Sequence, residues 1–364
     1  MRLSGDQLNK GVSNKRGLTS ETCPLGNIGQ GDEFLGAIGH VGGSTRRWAS
    51  TTPEPDVVLR LEMRLGAAHA RQRLGMEEEH EGQIFGAGIN FLHIENWYSI
   101  HALTTIVLKA SGLYWRGKKN AAQIIVRHNR IKHRRTPQEF RGFTVLQLSD
   151  LHCDTCPLAM KRLREILPNL QYDICVLTGD YRGRTYGAFG PALTELARVC
   201  RELKGPVYGV LGNHDTVRMV PRMEDLGIQM LLNETVAIER GAERICLAGI
   251  DDAHFYRADN IEKAASELPS DAFSILLSHT PEVYQRAAHA GFNVMLSGHT
   301  HGGQICLPGG IPIELNAKLP RCMGAGSWRY QSMMGYTSAG VGTSAVQVRF
   351  NCPPEVTLHY LEPA

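Results

Sequence analysis

Apolar residues in the second half of this chain come in short runs, and five of those runs stop at a residue able to bind a metal. Residues 143–148 lead into Ser149-Asp150-Leu151-His152, 174–177 into Thr178-Gly179-Asp180, and 207–211 into Gly212-Asn213-His214-Asp215. Residues 275–277 lead into Ser278-His279, and 294–296 into Ser297-Gly298-His299-Thr300-His301. Runs of this length predict strands, and the spacing between them predicts helices over 158–170, 191–203, 260–268 and 281–288. Past His301 the chain turns glycine-rich, with closing strands expected at 344–350 and 355–360, split by Pro353-Pro354. Strands that alternate with helices and end in polar residues predict a shared site at their carboxyl ends.

The first half reads differently. Residues 1–55 are polar and glycine-rich without a sustained period, and are expected to be poorly ordered. From Asp56 to His80 the residues Val57, Leu61, Leu65, Ala68 and Leu74 recur at near-helical spacing, which predicts an amphipathic helix. Residues 97–115 are mostly apolar, flanked by Trp97, Tyr98, Tyr114 and Trp115 and followed by Arg116, Lys118 and Lys119. That pattern fits a membrane-interface anchor, and it equally fits a helix packed on the rest of the protein. Lys109 and His101 interrupt a run already marginal in length for a full membrane span. The domain organisation expected is therefore 1–55 disordered, 56–142 a helical and basic extension, and 143–361 the main folded domain.

Composition narrows this picture little. A hydrophobic fraction of 42% and a charged fraction of 21% are ordinary for a globular protein, and a net charge of +3 implies no particular partner. The charge is unevenly placed, however: ten Lys/Arg against the single acid Glu139 lie between Lys109 and Arg141. Peripheral membrane contact through 97–135 is one reading of that stretch; a solvated linker is the other. Nine cysteines without a framework spacing, and an N-terminus without a secretory pattern, predict reduced thiols in the cytoplasm, with the inner membrane face as a peripheral location. Cys153 and Cys156 form a CxxC with no second pair to complement it, and are read as a structural pair.

Carboxylate, imidazole and amide groups gathered at strand ends suit a hard to borderline divalent cation. Asp150/His152 and His299/His301 are each two apart, so an extended chain would aim both members of a pair the same way. His214 stands beside Asn213, and the unperturbed pKa of an imidazole lies near neutrality. Asp215 reads either as the acceptor that orients His214 or as a helix cap. Arg182 and Arg184, just after Asp180, are candidate phosphate ligands, and His254 follows Asp251-Asp252 in a turn that could reach the site mouth.

In their order, Asp-x-His at 150–152, Gly-Asp at 179–180, Gly-Asn-His-Asp at 212–215, His279 and Gly-His-x-His at 298–301 resemble the calcineurin-like metallophosphoesterases, over roughly residues 143–361. Gly298-His299-Thr300-His301-Gly302-Gly303-Gln304 and the segments 340–344 and 349–355 further resemble a bacterial branch. Its members are phosphodiesterases, often membrane-associated, some similar to UDP-2,3-diacylglucosamine pyrophosphatase. The resemblance implies an α/β (α+β) fold, a four-layer αββα sandwich, here with an N-terminal helical or disordered extension. It also implies two divalent cations: Asp150, His152 and His301 on one, Asn213, His279 and His299 on the other, and Asp180 bridging both. His214 would then contact the scissile phosphate and help protonate the leaving alcohol.

The function expected is a dinuclear phosphohydrolase that cleaves phosphodiester or pyrophosphate bonds by in-line attack of an activated hydroxide. Manganese is the first choice of metal, with iron and zinc close behind. A lipid-linked substrate such as UDP-2,3-diacylglucosamine fits the basic and aromatic flank. The alternatives are a nuclease or cyclic-nucleotide phosphodiesterase, with nucleic acid the less favoured partner, and a non-catalytic metal-holding scaffold.

Overall fold

All five apolar runs are interior strands of two six-stranded sheets in the computed structural model, which describes residues 55–85 and 98–364. The first sheet runs β1 (Ile125–His133), β14 (Glu355–Pro363), β2 (Thr144–Leu148), β3 (Ile174–Thr178), β4 (Val207–Val210), β5 (Ile228–Met230). The second runs β12 (Gly326–Tyr330), β13 (Met333–Thr337), β9 (Val294–Ser297), β8 (Ser274–Leu277), β7 (Glu243–Gly249), β6 (Glu234–Arg240). A short hairpin, β10 (Cys306–Leu307) and β11 (Ile311–Pro312), stands apart. Within each sheet the central strands are parallel: β2 to β5 in one, β7, β8, β9 and β13 in the other. Their carboxyl ends therefore leave each sheet along one edge.

Side-chain alternation sets the layers. Val145 and Val176 of the first sheet share a buried cluster with Ile275, Leu277, Val294 and Leu296 of the second, so the sheets stack face to face. Leu146, Leu148 and Leu177 point the other way, onto α5 (Pro157–Ile166), α6 (Gly190–Cys200) and α7 (Val220–Asp225). Leu276 and Met295 do the same toward α8 (Ile261–Ser266) and α9 (Tyr284–His289). The order is helices, sheet, sheet, helices. Between the sheets the polar Gln147 donates to Thr178 Oγ1 at 3.0 Å and to Ser297 O at 2.9 Å, and its Oε1 lies 3.0 Å from His359 Nε2. This buried bridge satisfies the groups that the apolar layer would otherwise strand.

Four features depart from the sequence pattern. The sheet begins before residue 143: β1, part of the expected basic extension, pairs in parallel with β14 over nine residues. Its exposed Arg127, Arg130 and Lys132 suit an edge strand that must not recruit another. The single helix expected over 56–80 is two, α1 (Pro55–Leu65) and α2 (Ala67–Phe85), because Gly66 turns left-handed at φ 83°. Both join the first sheet's outer core through Leu61, Ala70 and Leu74. Residues 344–350 are irregular and form no strand. Gln304 holds their backbone at Ser344 and Val346, and the buried Arg349 donates to the carbonyls of Ala339 and Gly342. Finally, the segment around 97–115 is α3 (Tyr98–Ala110) and α4 (Leu113–Asn120), with Trp97 outside the described residues. No described helix is long and apolar enough to cross a membrane. The disorder expected for 1–55 falls, up to residue 54, outside the described residues.

Candidate metal centre

The loops after β2, β3, β4, β8 and β9 bring two sets of side chains together. The ligand-type atoms of Asp150, His152 and His301 all lie within 4.8 Å of one another, and so do those of Asp180, His279 and His299; all six residues are buried. Asp180 Oδ2 lies 3.3 Å from His279 Nε2 and 3.6 Å from His152 Nε2, so one carboxylate oxygen touches both sets. Asn213 Oδ1 lies 2.9 Å from His279 Nε2, which adds it to the second set. His301 Nε2 is 3.1 Å from His152 Nε2 and 3.4 Å from Asp150 Oδ1. Lone pairs crowded in this way repel one another unless protons or cations lie among them, and the N/O donor set fits divalent metals.

Backbone geometry makes the crowding possible. Asp150, His152, Asp180, His299 and His301 all have left-handed φ, between 40° and 70°. The chain is therefore not extended through Asp150-Leu151-His152, contrary to the simple spacing argument, yet both side chains reach one set. His299 and His301 diverge to different sets through the same kind of turn. Close approach is needed as well. A Cβ on Gly212 would overlap the Asp180 carboxylate, and one on Gly298 would overlap the Ser149 hydroxyl and the Asp150 carboxylate.

Partners behind the rings fix which nitrogen faces inward. His152 Nδ1 lies 2.8 Å from Arg182 O, His279 Nδ1 2.8 Å from Thr178 O, and His299 Nε2 3.0 Å from Asn316 O. Each carbonyl takes a ring proton and leaves the opposite nitrogen open. His301 differs, since its Nδ1 faces Arg349 Nη2 at 3.3 Å. Burial holds His299 and His301 well below the ordinary imidazole pKa, so both rings are neutral. His279 is pushed up to about 10, because Asp180 and Asp150 outweigh its burial. A cation bound there must displace that proton.

Around these seven residues the expectations diverge. His214 Nε2 lies 3.9 Å from Asp180 Oδ2, and its Nδ1 3.1 Å from Thr185 Oγ1. A hydroxyl proton donated by Thr185 leaves the ring's own proton on Nε2, facing the site. Burial pushes the His214 pKa down to about 4, against Asp180, which raises it. Asp215 neither orients His214 nor caps a helix; Thr216 is the cap of the following turn. Its carboxylate accepts the backbone N–H of Asp180, Gly212 and Tyr181 at 2.8, 2.8 and 2.9 Å, and so ties the β3 loop to the β4 loop. Arg182 is also displaced from its expected role, because its buried guanidinium donates to the carbonyls of His214, Thr185 and Gly187. Arg184 is exposed on that loop. His254 does reach the site: its ring centroid is 4.2 Å from that of His299, and its Nδ1 is 2.6 Å from Glu282 Oε2. Sequence reasoning missed Thr185 and Glu282, which stand in no motif, and gave no role to Arg349, although it opens the 349–355 segment.

The site opens into a cleft of about 440 Å³. Asp180, His214, His299 and His301 form its floor, and Ile305, Ile313, Leu315 and Val346 line its wall with Thr104 of α3.

The chain is similar to known proteins. A family profile described as calcineurin-like phosphoesterase matches residues 143–303. The metallophosphoesterase YkoQ of Bacillus subtilis is 32% identical over 232 residues, spanning 61% of this chain and 84% of that protein. The phosphodiesterase YaeI of Escherichia coli is 28% identical over 233 residues, spanning 59% of this chain and 81% of that one. A Bos taurus transmembrane protein with a metallophosphoesterase domain is 29% identical over 289 residues, 73% of this chain and 62% of its own length.

Proposed function

This chain belongs to the calcineurin-like phosphoesterase family and is a phosphoester hydrolase, and from that premise we propose how its site works and what it cleaves. Asp150, His152 and His301 would hold one divalent cation and Asn213, His279 and His299 the other, with Asp180 shared between them. The observation that carries this reading is the position of Asp180 Oδ2, in contact distance of a histidine from each set. When bound, two such cations polarise phosphoryl oxygens and make water a nucleophile near neutral pH. The protein's own part is to fix the donors and to place His214 beside the reacting phosphorus. A neutral His214 with its proton on Nε2 donates to a phosphoryl oxygen or to the departing alkoxide. His254 contacts the substrate from the His299 side. Manganese remains the first choice, ahead of iron and zinc.

The substrate proposed is a phosphodiester or pyrophosphate carrying an apolar, lipid-like group, of which UDP-2,3-diacylglucosamine is one example. The apolar wall of the cleft supports this. So does its surrounding surface, where Leu103, Ile106, Val107 and Trp115 of α3 and α4, and Leu307, Ile311 and Ile313 near the hairpin, are all exposed. Lys109, Arg116, Lys118 and Lys119 flank the helical part without an acid between them, which suits peripheral contact with anionic lipid.

Hydrolysis of bis-p-nitrophenyl phosphate, measured after chelation and metal add-back, tests the chemistry. Activity is expected to vanish with the metal and return best with Mn²⁺; full activity in the chelated protein would reject the two-metal reading. A panel of diesters with lengthening acyl chains tests the substrate. Preference for short, polar or nucleotide diesters would reject the lipid-linked reading and leave the chemistry intact.

A further inference from the structure

One side chain of α2, outside the region matched by the family profile, reaches two loops of the site. Arg73 is fully buried. Its Nη1 donates to Glu77 Oε1 at 2.8 Å, its Nε to Asp251 Oδ2 at 3.2 Å, and its Nη2 to the backbone carbonyl of Asp215 at 3.3 Å. The guanidinium carbon stands 3.6 Å from the centroid of the Tyr256 ring. Glu77 in turn accepts the Thr216 hydroxyl and, at 2.7 Å, the Val217 N–H. One turn of helix thus grips residues 215–217, directly after Asn213-His214, and residues 251–256, which carry His254.

The second loop is braced from within. The Asp252 carboxylate accepts the backbone N–H of His254, Phe255 and Tyr256 at 3.1, 2.8 and 2.6 Å. Asp251 Oδ1 accepts the N–H of Asp252 at 2.7 Å, so Arg73 acts on this brace through Asp251. Apolar side chains would fill such a space at less cost in desolvation. A planar guanidinium does what they cannot: it fixes several acceptors in one geometry at once.

We propose that Arg73, with Glu77, is a positioning residue for catalysis, holding the His214 loop and the His254 loop at a fixed separation across the phosphoryl site. This rests on the reading that both imidazoles meet the substrate. Neither side chain touches substrate itself; each acts through backbone that carries a ring.

The test is steady-state hydrolysis of bis-p-nitrophenyl phosphate by the full chain and its variants, with Mn²⁺ and with bound metal quantified per folded protein. Arg73→Ala is expected to lower kcat on the order of 10–100-fold, with KM and bound metal unchanged. Arg73→Lys, which cannot bridge the same acceptors, should not restore it. Added guanidinium ion at non-denaturing concentration should recover part of kcat in Arg73→Ala and none in the wild type. A role in packing alone would lower the melting temperature and leave kcat per folded, metal-loaded molecule untouched. If Arg73→Ala does not fold, Glu77→Gln keeps the shape, removes the charge, and should lower kcat several-fold. Wild-type activity with every folded variant within about two-fold of it overturns this proposal alone. An inactive, metal-loaded wild type overturns the phosphoesterase mechanism and this proposal with it.

Discussion

The floor of the cleft and its rim follow opposite rules. On the floor, charged and imidazole groups are buried and tied to backbone: Asp215 accepts three N–H groups, Asp180 Oδ1 accepts that of His214 at 2.9 Å, and Asp150 Oδ1 accepts that of His299 at 3.0 Å. The loops after β3, β4 and β9 are thereby each fastened to another loop's side chain. On the rim, Ile311 and Ile313 are 55% and 59% exposed, and β10 and β11 pair over only two residues. A floor of this kind sets the class of reaction, whereas a rim of this kind can change its preferred substrate without disturbing the chemistry.

Substitutions can separate the two. The largest effect is expected from Asp180→Ala, which removes the shared carboxylate; turnover of any phosphoester should fall by about three orders of magnitude or more. Stopped-time assays alongside metal analysis would check this, and substantial turnover with one cation retained would break the distinction at its base. His214→Ala should lower kcat by about 10²–10³-fold while both cations stay bound, as expected for lost proton donation. Loss of metal in that variant would move His214 among the ligands. Ile313→Asp should raise KM for a long-chain diester by about ten-fold and leave bis-p-nitrophenyl phosphate unaffected. Equal losses on both substrates would show that rim and floor are not separable.

The smallest effect concerns the support beneath the floor. His359 lies fully buried between the sheets, and burial pushes its pKa down to about 3 from an ordinary 6.5. The unfolded chain therefore binds a proton that the folded one refuses. Stability is complete above pH 6.5 and declines by about 1.4 kcal/mol per unit below it, flattening as pH falls through about 3. Urea unfolding at pH 7 and pH 5 should show about 2 kcal/mol of extra loss in the wild type relative to His359→Gln.

Much of the floor was legible in the sequence, because each strand is short, apolar and closed by a residue whose chemistry stands out. The helices flanking those strands were also legible, within a few residues at their ends. The edge strand β1 was hidden by its own composition, Ile-Val-Arg-His-Asn-Arg-Ile-Lys-His, which reads as a basic linker until β14 supplies its partner. Residues 344–350 show the converse: alternating Val and polar residues suggest a strand, but Arg349 bonds carbonyls of the loops around it. Arg182 stands next to Asp180, and adjacency suggested a phosphate ligand; the fold turns its guanidinium to carbonyls nearby. Arg73 gave no local signal, because Asp215 and Asp251 lie 142 and 178 positions away.

The left-handed turns at Asp150, His152, Asp180, His299 and His301 restrict how this centre could be re-engineered. Asp, Asn and His are the residue types, after glycine, that adopt such a conformation most readily. Each of these positions thus selects its occupant twice, once for its donor atom and once for its tolerance of the bend. Exchanging ligands to recruit a softer or larger ion, for instance cysteine for histidine or glutamate for aspartate, would meet a backbone penalty before coordination began.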